Sequence, residues 1–231
     1  MGLIADGVLE ALRLLLMGDP EVWRITLLSL QISGAATLLS LAVGIPAGTA
    51  LALTRFPGRG LVVSLVNTGM GLPPVVVGLF VTILLWRNGL LGALELLYTP
   101  TAMVLAQLVI ATPIVTGLTL AAVQQIPERF RLQILALGAS RLQMTWVLVK
   151  EARLPMLAAM MAGFGGVISE VGASMMVGGN IKGSTRVLTT ATVLETGKGN
   201  FDIAIALSVI LLAITFLVNW ALTSIQQRRR V

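Results

Sequence analysis

Glu170 is the one acidic residue inside an otherwise lipid-compatible block, from about Pro155 to Val177. A carboxylate in hydrocarbon is costly, so it must face protein, water or a hydrogen-bond donor. Two roles fit it, a gate or a structural hydrogen-bond hub. Holding an anion fits it worst, because like charges repel. Thr112, Thr116 and Thr119 are spaced i, i+4 and i+7 and can share one helical face. Their hydroxyls can serve an oxyanion without imposing a fixed charge, or can bond carbonyls of their own helix. Pro73 and Pro74 lie in the run GMGLPPVVVG and must kink or partly unwind a helix, as simple helix geometry or beside a transport path. With neither Cys nor His in the chain, disulfides, thiol nucleophiles, the usual zinc sites and histidine triads are excluded. No GxxxxGK[ST] loop occurs either, so ATP-driven work would have to come from another subunit.

The elements that must position these residues are membrane helices. Over 231 residues, 56% are hydrophobic and only 11% charged, with a mean hydropathy of +0.94. A soluble domain carries about a quarter charged residues, so lipid must supply part of the surroundings. The pattern predicts an all-α integral membrane protein with five transmembrane helices, within 22–52, 60–86, 100–123, 155–177 and 202–222. Gly44 and Gly48, around Pro46, form a small-xxx-small face, and Ala158, Ala159, Ala162, Gly163, Gly165 and Gly166 form another packing surface. Residues 1–21 read as an outer amphipathic segment, with Leu9, Leu12, Leu16 and Ile4 on one face; no removable signal peptide is expected. Residues 178–200 suggest a short re-entrant or surface helix. Lys182, Arg186 and Lys198 there are either contacts for an external delivery protein or plain loop charges.

The stretch 124–155 is the longest that cannot lie wholly in lipid. Pro127 can start one helix, with Glu128 at its positive end, and Gly138-Ala139-Ser140 is a break. Ser140 can cap a second helix carrying Leu142, Trp146 and Val149 at helical spacing. A helix–turn–helix of this kind presents a compact knob while its arms continue into the membrane. Arg55, Arg59, the basic residues of this stretch and the terminal Arg228-Arg229-Arg230 would share the inner side. By the positive-inside rule that puts the N-terminus outside and the C-terminus in the cytoplasm. The expected organisation is a membrane domain over 22–222, an inner loop at 124–153 and a basic tail at 223–231. The same rule accounts for the +6 net charge, so no nucleic-acid partner is expected.

Two segments, LALGASR at 135–141 and EVGASMMVGGNIKGSTRVLTTA at 170–191, resemble the membrane permeases of ABC-type importers, specifically the tungstate permease family. The second is similar to a segment of molybdate, sulfate and tungstate permeases, and the resemblance extends from about 20 to 222. Residues 124–153 resemble that family's EAA loop: Gly138 matches its Gly, while Leu132, Gln133 and Ile134 stand at its Glu-Ala-Ala and Lys150-Glu151 at its first Leu-Pro. The resemblance implies a type I, MetI-like permease fold and a non-catalytic subunit that works as a homodimer in a cell membrane. It implies two cytoplasmic ATPase subunits, which hold ATP and Mg, and an extracytoplasmic substrate-binding protein. ATPase coupling would fall to Leu135, Gly138, Ala139, Ser140, Arg141, Leu142 and Trp146. Pro73, Pro74, Thr112, Thr116 and Glu170 would serve the path or its gate, and Asn180, Lys182 and Arg186 the binding protein. Tungstate is the implied substrate, with molybdate and sulfate as alternatives; a non-transporting membrane scaffold is the alternative of a different class.

Overall fold

The computed structural model describes residues 2–228; the side chains of residues 2–6, 15 and 228 lie outside that description. Arg229 and Arg230, and the side chains of Ile4 and Arg228, are therefore among the expectations that fall outside it. No strand occurs among the described residues.

The helix α5 (Pro100–Gln124) is the mast of the fold. It starts at Pro100 behind the Thr99 cap, whose hydroxyl accepts from Ala102 N. Along it lies α2 (Pro20–Leu53), capped by Asp19, whose carboxylate accepts from Glu21 N and Val22 N at 2.9 Å. Gly44 lies against Val115, and Gly48 against the backbone of Thr116 and Leu120. The small residues thus let two backbones approach, as their spacing predicts.

The next span is broken into α3 (Arg59–Met70) and α4 (Pro74–Leu85), bent by 103°. This is sharper than the expected kink. A residue before proline is driven out of the helical region, and Pro73-Pro74 does this to Leu72 and Pro73 in succession. At about 1.5 Å per residue neither half spans the roughly 30 Å of hydrocarbon alone. Together the two halves nonetheless follow α5 from one end to the other. Arg59 Nε donates to Leu51 O near one end of α5, Gly69 lies against Pro113 at its middle, and Leu85 packs with Ala102 and Met103 at the other end.

A second broken pair, α8 (Arg153–Ile168) and α9 (Gly172–Gly178), bends by 58° and also follows α5. Met156 packs with Ala122 and Val123, Gly163 faces Val115, and Gly178 meets Met103. The small residues of α8 divide into two faces. Ala159 and Gly163 are buried on α5, whereas Ala158 and Ala162 are exposed. Between these spans, α6 (Glu128–Ala136) and α7 (Arg141–Glu151) form the predicted helix pair.

At the flank, α10 (Leu188–Gly197) buries Leu188 and Ala191 against α11 (Phe201–Arg228), with Ala206, Leu207 and Ile210. The helix α1 (Gly2–Leu16) packs on the bundle. Gly7 and Ala11 give it a small face that docks on α11, leaving Leu9, Leu12 and Leu16 exposed. Gln226 Nε2 donates to Leu154 O, so α11 ends beside the start of α8 and runs helical through the expected tail as far as Arg228.

Three helices are long and apolar enough to cross a membrane alone, and the number rises to five if each bent pair is one span. Contacts gather the ends into two groups: Arg59 reaches Leu51 O and Gln226 reaches Leu154 O at one level, and Leu85 and Gly178 pack on Met103 at the other.

Candidate functional site

Three regions hold the residues that could do chemistry. The first is the pair α6–α7. Gly138 has φ +86°, a left-handed conformation that glycine adopts without the Cβ penalty. Ser140 Oγ accepts from Gln143 N at 3.3 Å and Gln143 Oε1 accepts from Ser140 N at 2.8 Å, a complete capping box. The turn therefore has a fixed direction. Around it Leu137, Leu142 and Trp146 are 88%, 81% and 63% exposed, with Leu135 and Arg141 exposed beside them and Ala139 half-buried. Lys150 sits 5.0 Å from the Trp146 ring centroid.

The knob is firmly mounted. Leu148 is buried, Val149 packs with Ala152 and Met156, and backbone bonds pass from Leu148 through Ala152 to Met156 across the α7–α8 joint. Arg131 donates to Val123 O at 2.8 Å and Arg59 to Leu51 O at 2.8 Å, each satisfying a carbonyl at a helix C-terminus. These arginines, with Arg55 and Glu128, line a polar cleft of about 760 Å³ beside the pair.

The second region is the level where both broken spans part. Gly172 lies against Val75, joining the start of α9 to the start of α4, at the depth where Gly69 meets Pro113. Pro73 is exposed and Pro74 half-buried at this junction. Glu170 is 7% exposed, its Oε1 accepts from Ala173 N at 2.7 Å, and its carbonyl accepts from Thr189 Oγ at 2.9 Å. Of its two roles, the hydrogen-bond hub is the one these contacts fit, since the carboxylate caps α9. Replacing Glu170 with Ala is expected to cost about 1–2 kcal/mol, the value of a lost cap, whereas Glu170→Gln keeps an acceptor and most of that stability. Thermal unfolding of the two detergent-solubilised variants checks this; an equal loss in both would assign the effect to the charge.

Of the two readings of the threonines, bonding to their own helix is the one that the contacts of Thr112 and Thr116 fit. Thr112 Oγ donates to Leu108 O and Thr116 Oγ to Thr112 O, both at 2.7 Å, and Thr116 and Thr119 are buried under α2. Thr116 and Thr119 thus lie in the contact between α2 and α5, while Thr112, one turn earlier, is half-buried. A different polar face escaped the sequence reading. Gly60, Ser64, Asn67 and Thr68 recur along α3, with Gly71 just past its end, all exposed. The signal was present in their spacing, but polar and small residues scattered through a span read as packing residues until one knows which side is bare.

The third region is the knot between α9 and α10, which the structure ties to the start of α2. Lys182 Nζ and Arg186 reach the two oxygens of Glu21 at 2.6 and 3.3 Å, and Arg24 donates to Gly183 O. Asn180 Nδ2 donates to Thr190 O at 3.4 Å, and buried Thr185 donates to Gly178 O. Asn180 Nδ2 and one Arg186 nitrogen are thus engaged internally, with Asn180 Oδ1 and Arg186 Nε buried beside them without a partner, while the Lys182 side chain stays 69% exposed. Glu21, the hub of this clamp, gives no local sign in the sequence because its partners lie more than 160 residues away. Lys198 likewise pairs with Glu195 at 2.7 Å. The side-chain hydrogen bond from Asn200, and then that from Lys198, hold the Glu195 carboxyl below its usual range.

Three long apolar helices, two bent helix pairs beside them and an exposed apolar knob at one end make up the geometry. Residues 44–231 match the family described as binding-protein-dependent transport system inner membrane component. The chain belongs to that family. It is 44% identical over 200 residues to the "Probable anion ABC transporter permease protein" of Haloferax volcanii, covering 84% of this chain and 86% of that one. It is 39% identical over 227 residues to the "Tungstate uptake system permease protein TupB" of Peptoclostridium acidaminophilum, covering 98% of this chain and 100% of the relative. In fold it matches a chain in an inward-facing structure of the MetNI methionine ABC transporter, with a TM-score of 0.72 at 20% identity, covering 90% of this chain and 94% of that one. The family member described here is thus a multi-pass inner-membrane permease subunit of an ABC importer, with the MetI-like fold.

Proposed function

We propose that this permease imports tungstate, as a homodimer driven by two cytoplasmic ATPase subunits and supplied by an extracytoplasmic binding protein. The observation that carries the substrate is the end-to-end likeness to the tungstate uptake permease. The level holding Arg55, Arg59, Arg131, Arg141, Lys150 and Arg153 is the cytoplasmic one, by the positive-inside rule. The N-terminus is then outside and the C-terminus inside. Reconstituting the permease with its ATPase and binding protein, and comparing ATP-dependent uptake of tungstate, molybdate and sulfate, tests the assignment. Preference for molybdate or sulfate would transfer the protein to a neighbouring specificity.

In this reading the knob from Gly138 to Trp146 seats in a groove on the ATPase. An exposed apolar group on a rigid turn favours docking, and its bonded joint to α8 carries the motion inward. The ATPase brings ATP and Mg; this chain contributes no catalytic group. Leu142→Cys is expected to crosslink to the ATPase subunits. A folded complex that crosslinks at no position from 138 to 146 would remove the placement.

A further inference from the structure

We infer that the bare face of α3, formed by Gly60, Ser64, Asn67, Thr68 and Gly71, is the wetted wall of the translocation path and offers uncharged donors to a tetrahedral oxyanion. These positions follow i, i+4, i+7, i+8 and i+11, one helical stripe. No residue of α3 is buried, and Leu61 and Leu65 are 68% and 62% exposed, so what marks the stripe is its polar and small side chains rather than exposure alone. A Cβ at Gly60 would meet nothing within 4 Å, and one at Gly71 only Thr68 O at 3.8 Å. On the opposite side of the helix Gly69 lies against Pro113, so the stripe points away from the mast.

Depth makes this face informative. Gly69 and Pro113 meet halfway along α5, so Asn67 and Thr68 lie near the middle of the membrane. Lipid cannot bond an amide or a hydroxyl there, and leaving such groups dry is costly. Thr68 Oγ relieves part of that cost by donating to Ser64 O at 2.9 Å, but the Asn67 amide has no such internal escape along the helix. The stripe therefore needs water, or a second copy of α3, in front of it. Two copies set face to face would bring two Asn67 amides and four hydroxyls to one passage. Such a wall suits a divalent oxyanion in transit. Hydrogen bonds from neutral groups replace its water, while the absence of Lys or Arg from the stripe lets it leave again.

The inference rests on the import reading, and its test separates the two. The chain contains no Cys, so single cysteines can be placed at 64, 67 and 68, with Leu65→Cys as the control on the flank. The assembled transporter in liposomes is treated with a membrane-impermeant methanethiosulfonate bearing a sulfonate group. Cysteines at the three stripe positions are expected to react at least about tenfold faster than the one at 65, since thiol reactivity follows access to water. Tungstate added with ATP should slow them. Equal rates at 65 and 67, or disulfide bridging of Asn67→Cys between copies with no access for the reagent, would overturn the inference in favour of a dry dimer contact. In uptake, Asn67→Leu should fall about tenfold while binding-protein-stimulated ATP hydrolysis persists, and Asn67→Ser should recover part of it. If the native transporter moved none of the three oxyanions but the stripe still reacted, the substrate reading would fail and the wet wall would stand.

Discussion

Gly138→Val leaves the permease inserted and folded but lowers ATP-driven uptake by roughly 5–30-fold. The figure follows from the backbone. A left-handed residue costs an L-amino acid about 1–2 kcal/mol, which shifts an equilibrium between turn conformations by about 5–30-fold. A Cβ at Gly138 would meet nothing within 4 Å, so steric collision does not enter and the φ of +86° decides alone. That predicts an order of activity: Gly above Asn, which tolerates this region, then Ala, then β-branched Val. The capping box at Ser140 keeps α7 helical in every variant, so what changes is the angle at which Leu142 and Trp146 are presented. ATP hydrolysis should continue without matched uptake. Gly58 provides the control, with φ +81° and equally open space but at the α2–α3 turn. Gly58→Val carries the same kind of backbone penalty and should leave the ratio of transport to hydrolysis unchanged. Uptake by Gly138→Val equal to that of the native chain would remove the turn from the coupling mechanism.

What could be read without coordinates follows how local each cause is. Pro127, Glu128 and Ser140 announce the α6 and α7 starts because capping acts within one helical turn. Pro73-Pro74 announces a break for the same reason, yet its 103° angle depends on which neighbours hold the two halves. The threonines of α5 show the limit more sharply. Their spacing revealed a face, but only α2 packed over Thr116 and Thr119 shows that this part of the face is dry. The stripe on α3 has the same kind of spacing and the opposite surroundings. Periodicity identifies faces; packing decides which faces meet water. Long-range pairs such as Glu21 with Lys182 and Arg186 leave no periodic trace at all.

Gly48→Val is expected to have the largest effect on stability, lowering it by about 1–3 kcal/mol or more. A Cβ at this position would stand 2.5 Å from Thr116 O, 2.8 Å from Thr119 Cβ and 3.0 Å from Leu120 N. Thr116 O and Leu120 N are four residues apart, the two ends of one helical hydrogen bond of α5. The added carbon would therefore press on a backbone bond that no rotamer change can move aside. Withdrawal of α5 is blocked from the other sides, where Pro113 and Gly117 carry Gly69 and Met70 of α3, and Val115 and Met103 carry Gly163 and Gly178 of the second broken span. Strain at Gly48 is thus distributed to all three packed partners of the mast, and the alignment of both mid-depth breaks should suffer with it. Gly34 sits on the same helix with nothing within 4 Å of its would-be Cβ. Gly34→Ala should be neutral or stabilising by up to about 1 kcal/mol through helix propensity. Unfolding temperatures of Gly48→Ala, Gly48→Val and Gly34→Ala in detergent decide the matter. A Gly48→Val protein as stable as the native one would mean that α2 and α5 do not approach as closely as the fold requires.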